Sequence, residues 1–377
     1  MSVTELSVVD LFCGCGGFGL GAELAGFQTH TAIDIDDDLQ SAYRLNFPHA
    51  KAIQADIRDL DASAWHFLMG GRRPDGVIGG PPCQGFSRIG KRDAGDPRNT
   101  LISQFFDQVR FLRPKFFVLE NVEGLLDPQN VDGFLSVLEK AAERFKLVGP
   151  VVVNAADCGA ATVRRRVVVV GYDPLYVDPI TLDDIKPSGG IRASVREAIA
   201  DLPDPVIEKQ TDNDFGWAAY RAPKAPLSRY ARQAREMPQQ GVGWLPALQR
   251  LEQGYASGFS ATKHTSAVER RFGALPQGAV DRASKYPRLE WDGQCPTLRA
   301  GTGKDRGSFQ AVRPVHPTQP RVITVREAAR MQGFPDWFVF HPTKWHSFRM
   351  IGNSVSPMLA QFILSRIRAK MINALAA

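Results

Sequence analysis

The sequence predicts an α/β protein: a doubly wound parallel sheet with helices on both faces, joined to a smaller, loop-rich second domain. Three observations predict it. Short apolar runs alternate with helix-like stretches through the first half of the chain. A glycine-rich turn follows the first of those runs, and periodicity weakens from about Ile185 onward. With 377 residues and 44% apolar composition, the chain can bury a large core and divide into two domains.

The elements follow in order. Ser7-Val8-Val9-Asp10-Leu11-Phe12 is a short apolar run that ends in a turn carrying glycines from Gly14 to Gly21, and Ala22-Glu23-Leu24-Ala25 continues as helix. A strand is expected at 29–35 and a helix at 37–46. Further strands are expected at 75–78, 115–119, 147–153 and 167–170, with helices at 101–112 and 131–145. Beyond Ile185, stretches such as Pro187-Ser188-Gly189-Gly190 and 237–243 interrupt any period, and Trp217, Tyr220, Trp244 and Tyr255 stand among arginines. Helical patterns return at 324–331 and from about 356 to 372.

Charge is unevenly divided. Residues 1–185 hold 18 Lys and Arg against 25 Asp and Glu, whereas 186–320 hold 20 against 13 and 321–377 hold 8 against 2. An acidic first part joined to a basic remainder fits a polyanion bound mainly by the second part, with Arg229, Arg232 and Arg235 as candidate phosphate contacts. No stretch reads as a signal peptide, and the longest aliphatic run, Val167–Val170, is too short to span a membrane. The five cysteines, Cys13, Cys15, Cys83, Cys158 and Cys295, form no disulfide framework and no CxxC zinc pattern. A reducing cytoplasm and no metal are expected.

Gly14-x-Gly16-x-x-Gly19 matches the dinucleotide fingerprint of a Rossmann-like sheet, and Asp34 follows Gly14 by 20 residues, where a ribose-binding acid sits. Asp56, after the next strand, is placed to read a base edge. These residues imply an adenosine-containing cofactor without separating NAD from S-adenosylmethionine. Helix caps or solvated loop acids are the alternative for both aspartates.

The stretch Gly79-Gly80-Pro81-Pro82-Cys83-Gln84-Gly85-Phe86-Ser87 fixes one thiol on a proline-stiffened loop at the same sheet edge. A cysteine held there suits a nucleophile, because thiolates react where they are exposed and electrostatically supported. Phe117-Val118-Leu119-Glu120 delivers a carboxylic acid to that edge. Alternation in Arg164-Arg165-Arg166 sends the first and third arginines to one face. Together, Cys83, Glu120, Arg164 and Arg166 would make an anion-stabilising catalytic cluster.

These residues resemble the DNA (cytosine-5)-methyltransferase family. Asp10-Leu11-Phe12-Cys13-Gly14-Cys15-Gly16-Gly17 is similar to its cofactor motif, Pro81-Pro82-Cys83-Gln84 to its nucleophile motif and Glu120-Asn121-Val122 to its acid motif. Arg164-x-Arg166, Arg326-Glu327-Ala328-Ala329-Arg330 with Gly333-Phe334-Pro335, and Gly352-Asn353-Ser354-Val355 resemble later motifs, in the family's order. Thr162 and Ala161 stand where the family usually has Gln and Pro, and Asp34 stands where it commonly has Glu.

The resemblance implies a bacterial enzyme that transfers a methyl group from S-adenosylmethionine to C5 of cytosine in double-stranded DNA. Cys83 would add to C6 of a flipped base while Glu120, as the neutral acid, protonates or hydrogen-bonds N3. Arg164 and Arg166 would hold O2. It implies cofactor contacts from Phe12, Gly14, Gly16, Gly17, Asp34, Ile35, Asp56, Ile57, Pro81, Asn353 and Ser354, and DNA contacts from Gln84, Ser87, Thr297 and Leu298. The catalytic domain would be 1–185, completed by 345–377; 186–320 would be the target-recognition domain and 321–344 a hinge. A monomer in the nucleoid is expected, with a cognate restriction endonuclease as a candidate partner. Three alternatives remain at this level. One is a catalytically silent DNA-binding relative, against which the intact Cys83, Glu120, Arg164 and Arg166 argue. The transfer-RNA branch shares the catalytic motifs, but its diagnostic Cys-Phe-Thr is absent here; a NAD-dependent oxidoreductase leaves the Pro-Pro-Cys loop and Glu120 unexplained.

Overall fold

The computed structural model describes residues 6–82, 100–190, 192–207, 214–222, 225–300 and 313–376. Cys83, Gln84 and Ser87 lie outside the described residues. Seven strands form the main sheet: β1 (Ser7–Leu11), β2 (Gln28–Asp34), β3 (Lys51–Gln54), β4 (Gly76–Gly79), β5 (Phe116–Val122), β6 (Lys146–Asn154) and β7 (Arg165–Tyr172). Their spatial order is β3-β2-β1-β4-β5-β7-β6. The order reverses between β1 and β4, and in such sheets ligands bind at the carboxyl ends of the strands flanking that reversal.

One feature completes the sequence expectation and one differs from it. β3, the strand before Asp56 to which the sequence assigns no bounds, is a four-residue edge strand with no fully buried position. β7 runs antiparallel to both β5 and β6, so the sheet is parallel except for that strand. A β-hairpin between β6 and β7 replaces the helical crossover that a parallel neighbour would need.

Helices α1 (Gly17–Leu24), α2 (Asp37–Asn46), α3 (Ala62–Leu68), α4 (Thr100–Leu112) and α5 (Pro128–Ala142) connect the strands. Period-two alternation sends neighbouring strand residues to opposite faces. Val8, Ile78, Val118 and Val168 meet Phe18 and Ala22 of α1 together with Leu359, Ala360, Ile363 and Ile367 of the C-terminal helix Pro357–Ala376. On the other face, Val9, Val77, Phe117 and Val169 meet Trp65 of α3, Phe105 and Val109 of α4 and Phe134 of α5. The end of the chain therefore completes the sandwich begun by its first strand. A third core links α2 with Ala193, Val195, Leu289, Cys295 and Leu298 of the central region and with the helix Val325–Gln332.

That third core carries a buried charge network. The Arg330 guanidinium donates to both oxygens of Asp336 at 2.6 Å each, and also reaches Asp201. Arg235 donates to Asp201 at 2.5 Å and lies 3.7 Å over the Tyr220 ring. Arg235 is tied into the fold by these contacts, whereas Arg229 and Arg232 are exposed.

Candidate active site

A cavity of about 1180 Å³ opens at the switch point between β1 and β4. Its floor is the turn after β1. Phe12 has φ of 57°, a left-handed backbone rare for a non-glycine residue and characteristic of sites where strain is held by its surroundings. Gly16 (φ 98°) caps α1, and a Cβ there would lie 2.4 Å from the Phe47 ring. A Cβ on Gly14 would meet nothing within 4 Å. Gly14 and Gly17 line the cavity, while Gly16 shapes the turn behind it.

β2 delivers Asp34 to the same edge. Its Oδ2 accepts from the Gly14 amide at 2.8 Å and its Oδ1 from the Asp36 amide at 2.9 Å. Burial raises its pKa, against the pull of those two amides. Ile35 is 64% exposed on the cavity rim. Asp56 caps a short 3-10 turn through the Arg58 amide at 3.0 Å and pairs with the Arg58 guanidinium, which lowers its pKa. Asp56 and Ile57 both line the cavity, as do Phe12, Pro81, Asn353 and Ser354.

The opposite wall is built from β5 and β7. Glu120 lies on β5 across from Val168, and Arg166 across from Val122. Arg166 Nε lies 2.9 Å from Glu120 Oε1, with both side chains about nine-tenths buried. The alignment makes this an ion pair more than a directed hydrogen bond. Arg164 is 3% exposed. Burial and the neighbouring Arg166 hold its guanidinium well below the ordinary arginine pKa, while Glu120 acts in the other direction. Its Nη1 donates to the Leu298 carbonyl at 3.4 Å, but its Nε is buried without a partner among the described residues. Arg165 points away, to Glu123. The alternation expected from sequence is therefore present.

The start of the thiol loop reaches this wall. Asn121 Nδ2 donates to the Pro81 carbonyl at 3.0 Å, and a Cβ on Gly80 would lie 3.3 Å from Glu120 Oε2. The central region closes the site: Thr297 Oγ1 donates to the Val163 carbonyl at 2.6 Å, and both Thr297 and Leu298 line the cavity. Thr162 donates to the Cys295 carbonyl at 3.0 Å, so this departure from the family pattern ties the central region to the approach to β7.

Lining residues outside the expected set include Asp10, Asp36 and Arg349. Asp10 is fully buried on β1; burial pushes its pKa up to about 8, opposed by the Tyr43 hydroxyl and the Gly19 amide. Asp36 and Arg349 pair across the rim. Only Asp10 carried a sequence signal, as an acid inside an otherwise apolar strand.

The sequence profile described as C-5 cytosine-specific DNA methylase matches residues 6–369. The chain belongs to that family. The enzyme is a DNA (cytosine-5)-methyltransferase, and the family implies S-adenosylmethionine as methyl donor. It is 40% identical over 371 residues to the Type II methyltransferase M.XorII of Xanthomonas oryzae pv. oryzae, covering 95% of this chain and 84% of that relative. It is 34% identical over 402 residues to the Type II methyltransferase M.DdeI of Desulfomicrobium norvegicum, covering 96% and 88%. A crystal structure from E. coli, described as a DNA modification methyltransferase encoded within a prophage, superposes with a TM-score of 0.86 at 36% identity, covering 98% of this chain and all of that one. Membership removes the oxidoreductase alternative. Among the described residues, no helix is long and apolar enough to cross a membrane.

Proposed function

We propose that this enzyme is the modification component of a Type II restriction–modification pair, methylating one cytosine of a specific double-stranded sequence through a covalent Cys83–C6 adduct. The relatives named Type II methyltransferases support the pairing with an endonuclease. The observation that carries the chemistry is the Glu120–Arg166–Arg164 cluster, set beside Gly80–Pro81 on the same cavity as the glycine turn.

The residues present fit an adenosyl donor. Gly14 leaves open space toward the cavity, and each Asp34 oxygen keeps a second lone pair for a ribose hydroxyl after accepting its backbone amide. Phe12, Ile35 and Ile57 offer apolar surface to adenine, Asp56 its carboxylate to the amino edge, and Gly17, Pro81, Asn353 and Ser354 the methionine end. Bound there, S-adenosylmethionine supplies an electrophilic methyl group on its sulfonium.

The chain's own residues do the rest. The target base leaves the stack, because C5 and C6 are out of reach inside a duplex. Cys83 thiolate adds to C6 as Glu120 donates to N3, which makes C5 nucleophilic. Arg164 and Arg166 hold O2, and the unpartnered Arg164 Nε is the donor such an oxygen satisfies. After methyl transfer, a water or a base of the site takes the C5 proton, the C5–C6 double bond re-forms as the Cys83–C6 bond breaks to release the thiolate, and N3 returns its proton to Glu120. Gln84, Ser87 and Thr297 are the proposed DNA contacts, whereas Leu298, buried in the third core, contributes its backbone carbonyl to Arg164. Residues 1–185 with 345–377 act as the catalytic domain, 186–320 read the sequence, and 321–344 form the hinge. One chain supplies both cofactor and base sides, so the enzyme works as a monomer at the nucleoid. DNA carrying 5-fluorocytosine at the target should trap the enzyme, since fluorine blocks the final elimination. Cys83→Ser should abolish the trapped complex while retaining cofactor binding; an undiminished adduct would remove Cys83 from the mechanism.

A further inference from the structure

The helix Lys344–Asn353 runs along the cavity rim just before the Asn353-Ser354 pair. Its Arg349 guanidinium pairs with Asp36, and both side chains are about one-quarter exposed. Asp36 is the N-cap of α2, where its Oδ1 accepts from the Leu39 amide at 3.0 Å. The Asp36 backbone amide in turn donates to Asp34 Oδ1, and Asp34 Oδ2 accepts from Gly14. A continuous chain of polar contacts therefore runs from Arg349 through the cap of α2 to the ribose-side carboxylate and the glycine turn. Arg349 also lies 5.7 Å over the Trp345 ring, which limits its rotamers.

The electrostatics give the chain a purpose. Asp34 and Asp36 are neighbouring carboxylates, and the charge of Asp36 adds to the burial that raises the Asp34 pKa. Arg349 brings a permanent positive charge to that pair. It also ties the C-terminal segment, which carries Asn353 and Ser354, to the β2 edge that carries Asp34. Two weaker contacts lie beside it, His346 to Asp38 at 3.5 Å and the Cys15 thiol to the Met350 carbonyl at 3.7 Å, but neither reaches the residues that hold Asp34.

We propose that Arg349 is a positioning residue for the methyl donor, acting through Asp36 to hold Asp34 aligned for the ribose hydroxyls. The inference rests on the reading of this cavity as the S-adenosylmethionine site. The test is calorimetric titration of the full-length protein with S-adenosylhomocysteine, together with melting temperatures and steady-state kinetics. Arg349→Gln should weaken binding by roughly tenfold, the scale of one partly buried charge-assisted contact. KM for S-adenosylmethionine should rise in step, while kcat and KM for DNA stay within about twofold. Arg349→Lys should recover part of the affinity. Asp36→Asn, which keeps a good N-cap, should reproduce the loss, and the double variant should be no weaker than either single one. Unchanged affinity in Arg349→Gln, or a lowered melting temperature with normal affinity per folded molecule, would overturn the proposal. A wild-type protein that bound no S-adenosylhomocysteine would instead overturn the reading of the cavity beneath it.

Discussion

Gly352 sits where the cofactor side of the cavity meets the base side. It is buried in the last turn of the helix Lys344–Asn353, and a Cβ there would lie 2.4 Å from the Ala300 nitrogen and 2.7 Å from the Arg299 carbonyl carbon. Those atoms are backbone and cannot swing aside. Restoring ordinary contact requires the Thr297–Ala300 segment to retreat by roughly 1 Å. Two effects oppose one another in the stability of Gly352→Ala. Alanine gains about 1 kcal/mol over glycine in a helix, whereas forcing an extra methyl into a packed site costs about 1–3 kcal/mol. The melting temperature should therefore fall by only a few degrees. The retreating segment bears Thr297 and Leu298, and Leu298 accepts from Arg164. A displacement of that size at the reacting groups costs on the order of a hundredfold in rate. Single-turnover methyl transfer should slow by about that factor, with S-adenosylhomocysteine affinity retained because the new methyl meets the recognition segment. Turnover within twofold of wild type would refute the packing argument, and loss of cofactor affinity in proportion to rate would relocate the defect.

Glu120→Gln should lower turnover per folded molecule by roughly a hundred to ten thousandfold, as expected for a lost general acid. Its partner Arg166 is left without a counter-charge in a buried site, so some stability should be lost as well; near-normal turnover on a preparation of measured folded fraction would free Glu120 from the chemistry. Asp10, raised from 3.8 to about 8, keeps its proton in the fold where the unfolded chain has lost it. Between those values stability should fall as pH rises. Calorimetry at pH 5, 6.5 and 8 should show the decline in wild type and a flatter profile in Asp10→Asn. Arg235→Gln should lower the melting temperature by breaking the Asp201 and Tyr220 contacts, leaving the salt dependence of DNA binding unchanged; a reduced salt slope would return Arg235 to the phosphate contacts.

Local signals explain what was legible beforehand. Helix α2 begins and ends at the residues expected, because Asp36 is a strong cap and the apolar positions Leu39, Ala42 and Tyr43 fall on one face. The placement of Glu120 followed from the strand that delivers it to the carboxyl edge, and the splaying of Arg165 from its two neighbours from strand alternation. What stayed hidden was set by long-range pairing. The reversal of β7 depends on which edge the β6–β7 hairpin joins, and no residue within it encodes that choice. Arg235 reads as a surface arginine until Asp201 and Tyr220 are brought beside it. Arg349 and Asp36 are 313 positions apart, and only the return of the C-terminal segment to the sheet makes them neighbours.

The central claim is the position of the methyl group. Purified enzyme should be incubated with double-stranded DNA and S-adenosylmethionine labelled in its methyl carbon, and the DNA then digested to nucleosides and resolved by mass spectrometry. The label is expected in 5-methyl-2′-deoxycytidine, confined to one sequence context when the same DNA is read by bisulfite sequencing, and lost in Cys83→Ser. Label in N4-methylcytosine or N6-methyladenine, or transfer to RNA with none to DNA, would contradict that claim.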